Sequence, residues 1–319
     1  MSTGFVYSED YLLHDSGSWH PEHPGRLLAI VDHLQAIGLM QELKHIAPIV
    51  PELKWVETIH SSAYINAVKK ACENGYTQLD PDTGIGRDSY RVALLAVGGA
   101  LAAADAIMRK EISNCFCAVR PPGHHAERDR ARGFCLFNNI AILARYLQQK
   151  YQMGKILIVD WDLHHGNGTQ NAFYDDPTVF YFSTHLYPFF PGSGAKYETG
   201  SGNGIGYTLN FPLPAGKNDD DYLEIFQEEL LPVADKFRPD FILISAGFDA
   251  HANDFLSSML LTESGYAALT KNVVELAEIY CNGKIISILE GGYNLNKMAR
   301  SIEAHLSILL TGRYHEKII

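Results

Sequence analysis

The sequence is poor in cysteine and in positive charge, and it lacks any long uninterrupted apolar run. Its five thiols, Cys72, Cys115, Cys117, Cys135 and Cys281, are odd in number and irregularly spaced. That excludes a disulfide scaffold and suits a reducing compartment. Cys115-Phe116-Cys117 alternates along an apolar stretch and reads as core filling, not as a metal site. Lys and Arg number 26 against 37 Asp and Glu, a formal charge of −11, and no basic run exceeds two residues. Nucleic acid and anionic membrane surfaces are therefore disfavoured as partners. No stretch approaches the roughly 18 apolar residues of a membrane span, and Met1-Ser2-Thr3-Gly4 does not open a basic-then-apolar leader. A soluble, cytoplasmic protein is expected. What is present is a globular composition, 46% apolar, in which 27 Gly show no triplet period.

Short runs rich in β-branched and aromatic residues predict buried strands at Cys115–Val119, Lys155–Asp160, Val179–Ser183, Phe241–Ser245 and Lys284–Leu289. Helical patterns cover Arg26–Ile37, Ser89–Lys110, Asn138–Tyr151, Asp220–Lys236, Ser264–Tyr280 and Asn296–Leu310, with Asp219 and Thr262 as candidate N-caps. Their alternation predicts an α/β fold with a mostly parallel central sheet covered on both faces. Tyr90–Met108 is apolar nearly all round, but Arg91 and Asp105 interrupt it, so it reads as a core helix. No linker or repeat divides the chain, and residues 1–319 are expected to form one domain.

Nearly every predicted strand runs into polar residues. Val119 leads to Arg120-Pro121-Pro122-Gly123-His124-His125, Val159 to Asp160-Trp161-Asp162-Leu163-His164, Ser245 to Ala246-Gly247-Phe248-Asp249, and Leu289 to Glu290-Gly291-Gly292-Tyr293. Ligands of open α/β sheets bind at the carboxyl ends of strands, so these clusters should converge on one site. Asp160, Asp162 and His164 share a period of two, which aims them to one side if the strand stays extended. With Asp249 they offer carboxylates and an imidazole to a divalent metal with open positions, and spacing leaves open whether Asp160 or Asp162 is the ligand. The pair His124 and His125 suits proton transfer beside such a metal. Tyr293 offers a phenol to an oxyanion. The isolated histidines His14, His20, His33, His45, His60, His305 and His315 read as structural.

These motifs resemble the zinc-dependent histone deacetylases, and the class II branch in particular. The match runs from His20-Pro21-Glu22-His23-Pro24-Gly25-Arg26 through Arg120–Ala126, Gly133-Phe134-Cys135 and Phe189–Gly194 to Leu289–Asn294, and Asn167 favours class II. The resemblance implies a three-layer arginase-like fold and one zinc held by Asp162, His164 and Asp249. Asp160 would then orient His124, and Asn167 would orient His125. It further implies two sites for K⁺ or Na⁺: an inner one at Asp160, Asp162, His164, Ser183 and the Thr184 carbonyl, and an outer one at Phe173, Asp176, Val179 and Tyr207. His125 would carry the proton from water to the leaving amine, with His124 as electrostatic partner and Tyr293 at the oxyanion. Gly133, Phe134 and Phe190 would wall a tunnel for a lysine stem.

The implied substrate is an acetylated lysine in a protein or peptide. Leu256 stands where polyamine-preferring members place a glutamate, and Asp88 or Ser89 would hold the peptide backbone. The alternative within this chemistry is hydrolysis of acetylpolyamines or other small acyl amides. A two-metal ureohydrolase is disfavoured because the position two after Asp249 is His251, and a non-catalytic scaffold because the reaction-bearing residues are all present.

Overall fold

The computed structural model describes residues 2–314. Its strands are β1 (Thr3–Val6), β2 (Lys44–Ile46), the hairpin β3 (Gln78–Asp80) and β4 (Thr83–Gly84), β5 (Asn114–Cys117), β6 (Ile156–Asp160), β7 (Val179–Leu186), β8 (Thr208–Leu213), β9 (Phe241–Ala246) and β10 (Ile285–Leu289). All but the hairpin form one eight-stranded sheet in the order β2-β1-β5-β10-β9-β6-β7-β8, and every pairing in it is parallel. The middle strands β5, β10, β9 and β6 are buried along their whole length, which explains why they read as continuous apolar runs instead of alternating ones.

The helices are α1 (Gly25–Ala36), α2 (Leu53–Val56), α3 (Ser62–Glu73), α4 (Ser89–Met108), α5 (Asn139–Tyr151), α6 (Asn167–Phe173), α7 (Asp219–Ile225), α8 (Leu231–Phe237), α9 (Glu263–Cys281) and α10 (Leu295–Thr311). Helices α1, α10, α9 and α7 pack on one another, as do α2, α3, α4 and α5, to make the two outer layers. Helix α4 is long and apolar enough to cross a membrane by length and composition, yet 16 of its 20 residues are buried inside the protein.

Two expectations need correction. Asn218, not Asp219, caps α7, in a reciprocal box with Asp221. Asp219 instead accepts from the Thr262 backbone at 2.8 Å, while Thr262 caps α9 as expected. The helix read as Asp220–Lys236 contains a π-turn at Phe226–Leu230, directly ahead of Pro232, whose ring does not fit a regular α ladder. Register prepares the site: Asp160 lies level with Ser183 on one side and Ser245 on the other, and Leu289 level with Ala246.

Candidate active site

Beyond Asp160 the chain leaves the sheet, so the period-two expectation ends there, and the two acids diverge. Asp160 Oδ2 meets His124 Nδ1 at 3.1 Å and accepts from the Tyr181 hydroxyl at 3.0 Å. Asp162 Oδ1 lies 3.1 Å from His164 Nδ1, and Asp249 Oδ2 lies 3.0 Å from the same nitrogen. Backbone N–H groups hold the outer oxygens: Gly291 donates to Asp162 Oδ2 at 2.8 Å and Leu163 to Asp249 Oδ1 at 2.9 Å. A Cβ at Gly291 would collide with the Asp249 carboxylate and one at Gly247 with that of Asp162, so glycine is needed for this close approach.

Asp162, His164 and Asp249 are buried, and each offers one ligand atom within 4.8 Å of the others. Neither carboxylate has a Lys or Arg partner among the described residues. Burial and the neighbouring Asp162 push Asp249 up to about 6. Burial opposes the charge on His164, but its bonds to Asp162 and Asp249 prevail and raise it to about 9. Two acids around one imidazole, with His124 Nε2 3.8 Å from Asp162 and no Lys or Arg partner among the described residues, fit a divalent metal with open coordination positions.

The histidine pair stands beside this triad with ring centroids 4.0 Å apart. The Glu290 carboxylate fixes their loop by accepting from Gly123 N at 2.7 Å and His124 N at 3.1 Å. Burial works against a charge on His124, but Asp162, Asp160 and Glu290 outweigh it and push the ring up to about 10. His125 goes the other way: burial, reinforced by His124 and His164, holds it well below the usual histidine value. Adjacent groups of one chemical type are thereby biased in opposite directions.

Tyr293 follows β10, and its ring lies 5.0 Å from the Arg26 guanidinium. Arg26 also donates to the carbonyls of Gly292 at 2.7 Å and Glu290 at 2.5 Å, while Asp254 accepts from Tyr293 N at 2.6 Å. Glu22 bridges Arg26 and Arg120 beneath this loop. Sequence reasoning assigned no role to Glu22, Arg26, Glu290 or Asp254. Glu290 stands in a glycine-rich strand-end motif, Glu22 and Arg26 in the His- and Pro-rich segment that leads into α1, and Asp254 in a polar loop.

Residues 20–309 match the histone deacetylase domain. The chain belongs to the histone deacetylase family. It is 41% identical to a "Probable deacetylase" of Archaeoglobus fulgidus, over 92% of this chain and 82% of that protein. With histone deacetylase 5 of Arabidopsis thaliana it shares 40% identity over 96% of its own length, but it spans only 49% of the plant protein. Among solved structures, the crystal structure of the HDA15 HD domain matches with a TM-score of 0.93 at 40% identity, over 97% of this chain and 89% of that one. The sheet and its helical layers are the arginase-like fold of this family. Membership makes the protein a hydrolase of acetylated amides and implies a metal cofactor.

A cleft of about 210 Å³ opens over the deacetylase triad, and Gly133, Phe134, Phe190 and Leu256 line it together with His124, His125, His164 and Tyr293. The Phe134 ring stands edge-on to His20 at 4.4 Å and to Tyr293 at 5.9 Å; the His20 ring nitrogens bond the carbonyls of Glu22 and Asp82, each at 3.1 Å. Phe190 lies 5.1 Å from His125. Phe189, which the sequence reading left without a role of its own, stacks on His164 at 5.5 Å. Asp88 is not at the mouth. It precedes α4 with its carboxylate exposed and paired to Arg91 at 3.4 Å. The acid lining the cleft is Asp82, on the tight β3–β4 hairpin, where it accepts from Gly133 N at 3.0 Å.

Of the residues expected around monovalent cations, Ser183 lies beside Asp160 in register and bonds His185 at 2.8 Å, and the buried Thr184 hydroxyl has no hydrogen-bond partner among the described residues. Phe173 and Asp176 flank the α6–β7 turn, and the Tyr207 carbonyl accepts from Tyr181, two residues past Val179. The Asp176 carboxylate is already engaged by Arg145 at 2.5 Å and Thr178 at 2.6 Å, which leaves main-chain oxygens as donors for an outer ion. His315 lies outside the described residues.

Proposed function

We propose that the protein is a zinc-dependent lysine deacetylase acting on acetylated proteins or peptides through one catalytic domain. The observation that carries this reading is the buried Asp162, His164 and Asp249 set at the floor of a narrow, aromatic-walled cleft. Asp162, His164 and Asp249 would hold a zinc ion, which would supply Lewis-acid chemistry for the acyl carbonyl and the attacking water. Asp160, Asp162, His164, Ser183 and Thr184 as one set, and separately Phe173, Asp176, Val179 and Tyr207, would each hold K⁺ or Na⁺, which would add positive charge to the site.

The protein groups supply the rest. His125, neutral and hydrogen-bonded through Nδ1 to Asn167 at 2.8 Å, keeps Nε2 for the proton taken from water and returned to the leaving amine. His124, protonated and buttressed by Asp160, balances the negative charge that grows in the transition state. The Tyr293 phenol, on a backbone held by Asp254 and with Arg26 over its ring, donates to the developing oxyanion. Phe134 and Phe190 cover a stem of four methylenes, which at about 0.8 kcal/mol each contributes roughly 3 kcal/mol.

Leu256 lines the cleft and brings no charge to meet a second ammonium, which supports acetyl-lysine over acetylpolyamine. The test is kcat/KM for an acetyl-lysine peptide against acetylspermidine, with chelation and zinc add-back. Preference for the polyamine, which the −11 charge would also attract, overturns the substrate assignment.

A further inference from the structure

Asn167 brings an amide, not a carboxylate, to His125, and an amide has two unlike ends. If the Asn167 oxygen faces His125 Nδ1, that nitrogen must donate and Nε2 is left free for the substrate; if the NH₂ faces it, Nδ1 must accept and Nε2 carries the proton. The interaction at 2.8 Å alone does not choose between these. The other end of the amide does.

Asn167 Nδ2 lies 2.6 Å from Glu127 Oε1 and 3.4 Å from the His125 carbonyl. A carboxylate and a carbonyl have only acceptors to offer, so the NH₂ must point to them and the oxygen to the ring. Reversal would set oxygen against oxygen at 2.6 Å. Glu127 is itself held. Its backbone pairs with Arg130, and its carbonyl meets His60 Nδ1 at 2.9 Å. The other His60 nitrogen accepts from Asn138 N, so Nδ1 is the donor to Glu127. Arg132 Nη1 stands 3.9 Å from the same Oε1, with its guanidinium 5.0 Å from the Phe190 ring.

We propose that Glu127 is a positioning residue that fixes the orientation of the Asn167 amide and, through it, the tautomer of His125. This rests on the reading of His125 as the base, but its first test does not. In protein with ¹⁵N-labelled histidine, His125→Ala identifies the His125 signals. Native protein is expected to show Nδ1–H and a bare Nε2, and Glu127→Met a mixture of the two tautomers. An unchanged tautomer in Glu127→Met overturns the proposal whatever His125 does in catalysis. If the tautomer shifts while kcat holds, the positioning stands and the role of His125 as base falls.

The second test is kinetic. Glu127→Met should lower kcat by about tenfold, at the low end for outer hydrogen-bond partners in metal sites. KM should hold, and Glu127→Gln, which keeps an acceptor oxygen, should recover most of the loss. In an Asn167→Asp background the sign reverses: Glu127 then faces a like carboxylate, and Glu127→Met should raise kcat. An equal loss in both backgrounds would reduce Glu127 to a residue that packs its loop.

Discussion

Two groups of buried charge lie at the carboxyl end of the sheet, and they are built differently. Around Glu22 the charges close on themselves. Arg120 grips both carboxylate oxygens, Arg26 adds a contact at 3.4 Å, and the remaining guanidinium donors reach the carbonyls of Tyr11, His14, Glu290 and Gly292. Around His164 two carboxylates share one imidazole, without a Lys or Arg among the described residues. A carboxylate fully met by guanidinium partners sets shape, whereas carboxylates short of positive partners keep affinity for a cation. Both sit in polar strand-end or loop motifs, so it is the charge balance, not polarity, that separates frame from reaction centre.

The strongest break of this contrast is removal of the cation. Chelation, or Asp162→Asn, is expected to lower deacetylase activity by about 10³-fold or more, several kcal/mol of barrier. Asp249→Asn should leave the unfolding midpoint of metal-free protein unchanged or higher, because it relieves a like charge beside Asp162. Activity that persists in protein shown metal-free by elemental analysis would break the assignment.

At Glu22 the outcome reverses. Glu22→Ala should cost about 3–5 kcal/mol in urea unfolding, since Arg120 and Arg26 stay buried without their carboxylate, and metal loading should not restore it. A cost below about 1 kcal/mol would erase the distinction. Tyr293 hangs from both groups, through Arg26 and the cleft. Tyr293→Phe should lower kcat by about 10²–10³ with KM and stability nearly unchanged, the loss of one oxyanion donor.

Acid sharpens the contrast further. Burial works against the Glu22 carboxylate, but Arg120, His14 and Arg26 prevail and hold it at about 2, below its ordinary 4.5. Stability from a lowered carboxylate is complete above its unfolded value and is lost as pH falls through its folded one. Between about pH 4.5 and 2 this group should therefore remove about 3 kcal/mol, and Glu22→Gln should flatten that part of the stability curve. The smallest effect concerns the rim. Leu256→Glu should shift kcat/KM toward acetylspermidine by up to about fivefold, the scale of one exposed ion pair near 1 kcal/mol.

The strand-end clusters identified where the site lies because the middle strands are buried on both faces and declare themselves by composition. What spacing left open at Asp160 and Asp162 is decided by a departure from the strand that no period reveals. Asp82 was missed in favour of Asp88 because the hairpin that carries it is short, and its partner Gly133 is 51 residues away. Strands β1, β2 and β8 escaped the sequence reading for a similar reason: β1 and β2 are brief, and β8 is an edge strand containing Pro212. Glu22, apart from its contact with Arg26, meets Arg120 98 residues away, and Glu290 meets Gly123 167 residues away, beyond the range of any local pattern.

Strand β10 comes last in chain order yet lies fourth in the sheet, between β5 and β9. Until it inserts, the sheet can exist only as two wings, β2-β1-β5 and β9-β6-β7-β8, each with an apolar edge unpaired. Such long-range closure is slow, and open edges invite pairing with other chains, so a nascent polypeptide growing at about 5–20 residues per second carries that exposure until residues 285–289 emerge. The strand that seals the sheet also delivers Glu290, Gly291 and Tyr293, so catalytic competence and completed topology arrive in one folding event.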